Sequence, residues 1–427
     1  MRDKPITSTT QRKGLAITLG VALAGAAIAG CSTAGASSAA APTLQITPAD
    51  GAQNVLPGTP ITIATKHGKV NAVTVTTASG QVAGTLTKNG QWTSTEPLAT
   101  GTNYTIKATA IGADNKKVTV TNTFQTLTAK KTFTATITPL GTDFNINDEI
   151  RAHTYGVGIP ITVQFSRPIV NKAAVERAIE IRSSHPVVGA WNWQNSQTVV
   201  FRTRQYWPQN TTVNVTANFD GVEAAPGVYG TKNVTKSISI GPSLIVVAST
   251  RTHYMRVYYK NRLLGHWPIS TGRPGDDTPD GTYLTTFQNN PQLMTGPGYS
   301  LEVPWSVDFT YSGDFIHDAY WSVSVQGSAN VSHGCINTSP WHAEIYYKKA
   351  VPGDPVTVMG SPARGIPGNG WTEWFLTWNN WLKGSATGQA VEAGPNGSTF
   401  VSPATLAATT NNGPMYQTFA GNPRANT

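Results

Sequence analysis

Short runs in which apolar and polar residues alternate occupy most of the chain between Leu44 and Ile240. Val73-x-Val75, Tyr104-x-Ile106-x-Ala108 and Val118-x-Val120 fill a first block, broken by Gly, Pro and Asn-Gly turns, that ends near Thr128. Ile159-x-Ile161-x-Val163-x-Phe165, Trp191-x-Trp193 and Val213-x-Val215-x-Ala217 fill a second. A period of two residues buries one face of a strand and wets the other, so both blocks predict antiparallel sheets packed face to face. The stretch Leu98 to Ile106 also lies over Trp207 to Val215 at a constant offset, and Trp92 falls on Phe201 at the same offset. Self-similarity at a fixed spacing marks a duplicated unit.

A sandwich of the immunoglobulin type takes about 100 residues, so the economical reading is two tandem immunoglobulin-like domains, 44–128 and 132–241. A third block, 242–360, opens on Leu244-Ile245-Val246-Val247, then Met255 to Tyr259, a Lys260-Asn261-Arg262 turn and Leu263 to Trp267. Strand, turn, strand is predicted there. Gly and Pro crowd the region from Gly272 to Gly298, too long for a hairpin loop, and are expected to form a flap over a site. Ser339-Pro340 supplies an N-cap and a first-turn proline for a short helix from Trp341 to Ala350. Trp371, Trp374, Phe375, Trp378, Trp381 and Leu382 recur at helical spacing in 361–384, which predicts an aromatic face laid on a neighbouring domain. The remainder, 385–427, is Ala, Thr, Asn, Gly and Pro with Glu392 and Arg424 as its charges, and is expected to be disordered.

The first 30 residues change the setting. Arg2, Lys4, Arg12 and Lys13 precede an apolar run from Gly14 to Ala29, the charged and hydrophobic parts of an export signal. The run is short and Gly-rich for a membrane span. Ile28-Ala29-Gly30-Cys31 is similar to a bacterial lipobox, so cleavage before Cys31 and acylation of its thiol are expected, anchoring the chain to the outer face of the cell membrane. Residues 31–43 then serve as a flexible tether. With Cys31 claimed by lipid, the chain's other cysteine, Cys335, has nothing to pair with. The net charge of +9 falls to +6 without the leader. Spread over the rest of the chain, with no Lys/Arg cluster, that predicts no nucleic-acid partner and is compatible with an anionic wall or membrane surface.

Cys335 stands in Ser332-His333-Gly334-Cys335-Ile336-Asn337, and His317 ends Phe315-Ile316-His317. A cysteine that performs acyl transfer needs a base near the sulfur, a group that fixes the base's tautomer, and N–H donors for the oxyanion. His317 fits the base, the Gly334 and Cys335 amides fit the donors, and a neighbouring imidazole is expected to hold the sulfur ionised. A zinc site built from His317, His333, Cys335 and His342 competes, but lacks the paired short spacings of structural zinc. His342 and His266 are left without a role.

Ile316-His317 followed by Ser332-His333-Gly334-Cys335-Ile336-Asn337 resembles the active-site signature of the L,D-transpeptidases. Ile269-Ser270-Thr271-Gly272 with Thr278-Pro279-x-Gly281 resembles that family's other marker. The lipobox, the paired sandwiches and the Trp-rich end together resemble the mycobacterial members. The implied fold is an all-β multidomain chain: two immunoglobulin-like sandwiches, a mostly β catalytic domain and a short helical C-terminal subdomain.

The resemblance implies Cys335 as nucleophile, His317 as base, the backbone carbonyl of Asp318 as the group orienting His317, and His333 and Gly334 as shapers of the nucleophile's turn. Tyr299, Ser312, Gly313, Ser332 and Asn337 would contact the donor peptide. No cofactor is implied. Some relatives bind calcium in the second sandwich, but Pro226 stands where a carboxylate would be wanted between Glu223 and Gly227, so no metal is expected. The implied reaction joins the third residues of two peptidoglycan stem peptides through a Cys335 thioester, releasing D-alanine, and carbapenems would acylate the same thiol. A carboxypeptidase using water, and an inactive wall-binding scaffold, are the alternatives.

Overall fold

Alternation along the chain becomes strands wherever one face finds a core. The computed structural model describes residues 40–139, 154–296 and 298–408. The leader 1–30, Cys31, most of the tether and the tail beyond 408 lie outside the described residues. Among those described, no helix is long and apolar enough to cross a membrane.

The first sandwich sets Thr43–Thr47, Thr62–Lys66, Trp92–Ser94 and Gly84–Leu86 against a sheet built on Gly68–Thr77, Asn103–Gly112 and Lys117–Thr126. Its core holds Ile61, Ile63, Val75, Leu98, Tyr104, Ile106 and Phe124. In the second, Ala135–Thr138, Ile161–Phe165, Thr198–Thr203 and Val187–Trp193 face Val234–Ile240, Thr212–Ala217 and Ile179–Ser183. Trp92 sits opposite Ile63 in the first sandwich and Phe201 opposite Ile161 in the second.

The third block folds around Leu244–Ser249, whose continuous apolar run is paired on both edges, antiparallel to Tyr254–Tyr259 and parallel to Pro355–Met359. Strands buried on both faces read as unbroken Val/Ile/Leu runs for this reason. A second, smaller sheet orders Gln288–Asn289, Ser306–Asp308, Phe315–Asp318 and Ile336–Thr338. Val246, Val257, Tyr283, Phe309, Ile316, Ile336 and Val356 close the core between the two sheets. The helix Pro340–Tyr347 begins as expected: Pro340 occupies its first turn and Ser339 Oγ accepts the His342 amide at 3.4 Å.

Three expectations change. The Gly/Pro-rich region is not one flap. Gly272 is buried and bridges to Ser332, and Gly281–Leu284 joins the main sheet, so only the hairpin Gln292–Gly296 with Tyr299–Val303 projects. The Trp-rich segment is not a continuous helix. A 3-10 turn, Glu373–Phe375, and a helix, Trp378–Leu382, are separated by Leu376 in extended conformation.

The stretch after Gly384 is also ordered through Val401. Ala390–Gly394 pairs with the edge strand Val187–Trp193 of the second sandwich, and Gly397–Val401 pairs with it in turn. Val391 and Ala393 enter that sandwich's core. Composition alone hid this, because the segment contributes few apolar groups but completes a sheet whose remaining strands lie some 200 residues upstream.

Candidate active site

The site grows from two parallel strands. Ile316 faces Ile336 and His317 faces Asn337 across the pairing of Phe315–Asp318 with Ile336–Thr338. Ile316 and Ile336 point into the core. Side chains alternate along a strand, so His317, one position after Ile316, faces away from that core, while Cys335 immediately precedes Ile336 at the head of the paired strand.

His317 is buried, and its Nδ1 lies 2.6 Å from the Asp318 carbonyl oxygen. A carbonyl only accepts, so Nδ1 carries the proton and Nε2 keeps a free lone pair. Burial pulls the imidazole down to about 4, opposed by that hydrogen bond. Its ring stacks on Trp321 with centroids 6.0 Å apart.

Cys335 is partly buried. Its Sγ lies 3.7 Å from the Gly313 carbonyl, and among the described residues His317 does not hydrogen-bond it. Desolvation pushes the thiol up to about 12, with Asp314 and Asp308 adding to the rise and a contact with the Phe315 backbone opposing it. Both shifts run against the expectation of an ionised sulfur. A thiol pushed up and an imidazole pushed down rest as a neutral pair.

The turn before Cys335 is held from several sides. Gly334 has φ +125, and a Cβ there would lie 2.4 Å from Asp314 Oδ1, so both conformation and space demand glycine. Ser332 Oγ donates to the Cys335 carbonyl at 2.6 Å and accepts the Gly334 amide at 3.2 Å. That commits the Gly334 amide, correcting its expected place in an oxyanion hole. The Cys335 amide engages no protein group among the described residues.

The second marker motif acts here. Ser270 exchanges backbone hydrogen bonds with Asn337, Thr271 accepts the Ser332 amide, and Thr278 Oγ1 donates to the Gly334 carbonyl at 2.5 Å while accepting the Gly272 amide at 2.9 Å. A Cβ at Gly272 would meet the Asp276 carbonyl at 2.0 Å. Residues 270–278 thus form a strap over the nucleophile's turn, a role that reading the motif as a marker did not reveal.

The remaining expected residues divide. Tyr299, on the projecting hairpin, stacks on His333 with centroids 5.1 Å apart and closes one side of the turn. Ser312 and Gly313 form the tight turn before Phe315–Asp318, where Ser312 Oγ donates to Asp314 Oδ2 at 3.2 Å. Asn337 is buried and donates to Ser322 Oγ at 3.1 Å, so its side chain braces the segment after His317 rather than facing an open cleft. His342 stacks on Trp267 and contacts Ser339 Oγ, away from the nucleophile's turn. The zinc quartet is not assembled, and among the described residues no three His, Cys, Asp or Glu side chains gather to hold a metal. Near Pro226, Glu223 Oε1 instead accepts the Gly227 amide at 2.9 Å.

Sequence reading missed Asp308, Asp314 and Thr278. Asp308 and Asp314 are buried acids in the strand and turn leading to His317. Burial raises both, Asp308 to about 7. An acid inside a segment of apolar neighbours, as in Gly313-Asp314-Phe315-Ile316, was the available signal.

A tautomer-fixed imidazole on one strand and a thiol just before the strand paired with it, beside a hairpin whose Tyr299 stacks on His333, form a candidate cysteine-histidine site on a β scaffold. Residues 243–358 match the L,D-transpeptidase catalytic domain and residues 52–223 a bacterial Ig domain. L,D-transpeptidase 5 of Mycobacterium tuberculosis is 35% identical over 360 residues, which are 81% of this chain and 77% of that protein. L,D-transpeptidase 2 of the same species is 32% identical over 358 residues, 81% of this chain and 85% of that one. A solved L,D-transpeptidase in complex with imipenem is 34% identical, covering 48% of this chain and 94% of that one, with a TM-score of 0.41. The chain belongs to the L,D-transpeptidase family.

Proposed function

We propose that the protein cross-links peptidoglycan, joining the third residues of two stem peptides through a thioester on Cys335. The observation that carries this reading is the pairing of the His317 strand with the strand that Cys335 immediately precedes, with the Asp318 carbonyl fixing the proton on Nδ1. As the sulfur attacks the carbonyl between the third residue and D-alanine, Nε2 takes the thiol proton. The neutral resting pair requires that transfer to accompany C–S bond formation, since neither free ion is favoured beforehand. The Cys335 amide is the donor available to the oxyanion. His317 then returns the proton to the departing D-alanine amine, leaving a neutral imidazole and a thioester. The side-chain amine of a second stem's diamino acid attacks next, losing its proton to His317 as the thiol is restored.

Tyr299 and its hairpin lie where they screen the thioester from water, which favours transfer over hydrolysis. Partial exposure of Cys335 suits acylation by the strained carbonyl of a carbapenem. Acylation of Cys31 would hold the enzyme on the outer face of the cell membrane, within reach of the wall. An unmodified residue at the mature N-terminus, read by mass spectrometry, removes that placement.

Incubation with a disaccharide tetrapeptide tests the reaction. A cross-linked dimer is expected. Tripeptide alone identifies a hydrolase, and unchanged substrate a scaffold. Cys335→Ala abolishes turnover and the covalent adduct with meropenem; retention of either overturns the mechanism.

A further inference from the structure

Asp314 sits at the tightest point of the site and has no part in the mechanism above. Its carboxyl is nine-tenths buried. Oδ2 accepts from Thr310 Oγ1 at 2.8 Å and Ser312 Oγ at 3.2 Å, and the Asp314 amide donates to Thr310 Oγ1 at 2.8 Å. Ser312 is itself pinned, its amide to Asn369 Oδ1 and its hydroxyl to Asn369 Nδ2, each at 2.9 Å. The turn is therefore rigid, and it aims Oδ1 at Gly334, where even a Cβ would meet it at 2.4 Å. The sulfur rests 3.7 Å from the carbonyl of the preceding residue, Gly313. A fixed acid thus supports the nucleophile's turn from below.

We propose that Asp314 is a positioning residue for Cys335, whose carboxylate both props the Gly334 turn and keeps negative charge from building on the sulfur before substrate arrives. The inference rests on Cys335 being the nucleophile. Burial raises the Asp314 carboxyl and its two hydroxyl donors oppose that rise; once ionised, it sets a like charge by the nucleophile's turn that disfavours the thiolate. The consequence is chemical. An exported thiol held as S–H reacts slowly with oxidants and stray electrophiles, because the thiolate is the reactive form. A bound substrate carbonyl restores reactivity, because the thiol then loses its proton to Nε2 only as the new bond forms.

Other charges face this region. Asp308 stands in the next strand, bonded to Thr286 Oγ1. Tyr283 feels the Asp314 charge from the main sheet. Asp276, whose carbonyl lies near Gly334, is neutralised by Arg273 at 2.8 Å. His333 stands two residues before the nucleophile and stacks on Tyr299, and His317 lies on the strand paired with the one that follows Cys335. Asp314 differs from all of these in contacting the turn through its carboxylate.

The test is the pH dependence of Cys335 alkylation by iodoacetamide in the full chain, read by peptide mass at Cys335. Asp314→Asn keeps the shape and an acceptor for the hydroxyls but removes the charge. The profile should move to lower pH by about one unit, making alkylation near neutral pH about tenfold faster. Superimposed profiles at unchanged melting temperature overturn the proposal. If Asp314→Asn does not fold, Asp314→Ser removes the same charge with a smaller side chain and should move the profile the same way, and an unmoved profile there counts equally against it. Cross-linking by the wild type is scored separately through Cys335→Ala, so an unmoved profile beside an inactive Cys335→Ala sinks this inference alone.

Discussion

His317 holds a neutral imidazole in the protein interior, and that has a cost the whole molecule feels. Its folded value of about 4 lies below the ordinary 6.5. The unfolded chain therefore takes up a proton between those limits that the folded chain refuses, and stability falls as the pH drops from about 6.5 towards 4. The gap corresponds to about 3 kcal/mol at one buried residue. Asp308 and Glu373, both raised to about 7 by burial, act in the opposite sense, since their folded forms keep protons that the unfolded chain releases. The difference between wild type and His317→Gln isolates the histidine. Urea unfolding at pH 7 and pH 4.5 should show the variant losing less stability on acidification, by about 2 to 3 kcal/mol. Equal losses in the two proteins rule out a buried neutral imidazole. Gly334→Ala tests the neighbouring turn. With φ at +125 and Asp314 Oδ1 in the way, the methyl group should cost about 2 to 4 kcal/mol and abolish meropenem acylation; a stable, reactive variant contradicts the geometry.

Among the elements, the strap 270–278 does what the nucleophile's own segment cannot do alone. A reactive turn cannot be built from regular strand pairing, so its polar backbone groups need partners from elsewhere. Thr278 supplies one hydroxyl to two of them, the Gly334 carbonyl and the Gly272 amide. Thr278→Val preserves the shape of the side chain and leaves both groups unpaired in a buried place. A loss of about 1 to 3 kcal/mol is expected, with a drop in the rate of acylation larger than any change in substrate affinity. Stopped-flow measurement of meropenem acylation separates the two, and a pure affinity defect would refute a positioning role. Cys335, His317 and the glycine between them were legible as sequence because nucleophile, base and turn each demand a particular residue type. The small sheet's alternation, with Ile316 and Ile336 inward, was equally legible. The charge state of the sulfur was not, because it depends first on burial and then on Asp314 and Asp308, which reach it from a turn and a strand that sequence order does not bring together. The commitment of the Gly334 amide to Ser332 was hidden for a similar reason: three-residue hydrogen bonding inside a turn follows its dihedral angles, which no pattern of hydrophobicity reports.

The molecule as a whole is tied together by the segment that composition made look formless. After Gly360 the chain leaves the catalytic domain, and Trp371 pairs through its backbone with Leu284. Trp374 donates to the Gly158 carbonyl at 2.8 Å. Arg202 of the second sandwich lies against the rings of both Trp374 and Trp381, and donates to the Glu373 carbonyl at 2.6 Å and the Leu376 carbonyl at 3.0 Å. The chain then returns along the sandwich, where buried Glu176 accepts the Ala386 amide at 2.6 Å, Ser385 Oγ at 2.9 Å and the Thr387 amide at 3.1 Å, before Ala390–Gly394 pairs with Val187–Trp193. Hydrogen bonds to an ionised group contribute about 1.5 to 3 kcal/mol each, so this anchor outweighs its small apolar area. Ending the chain after Lys383 should therefore leave Glu176 with the Trp193 indole alone and turn Val187–Trp193 into an exposed sheet edge. Ending it after Ala408 removes nothing that is bonded among the described residues. Calorimetry on the two truncated proteins should place the first about 10 °C or more below full length, with aggregation on heating, and the second within about 2 °C of it. Glu176→Gln in the full chain should fall between them, because the amide retains one acceptor and loses the carboxylate that four donors converge on. If the chain ended at Lys383 melts with the full-length protein, the returning strands are an ornament on the second sandwich, and its coupling to the catalytic domain rests on Arg202, the tryptophans and direct contacts such as the Gly156 and Gly158 amides on the Pro352 and Gly353 carbonyls.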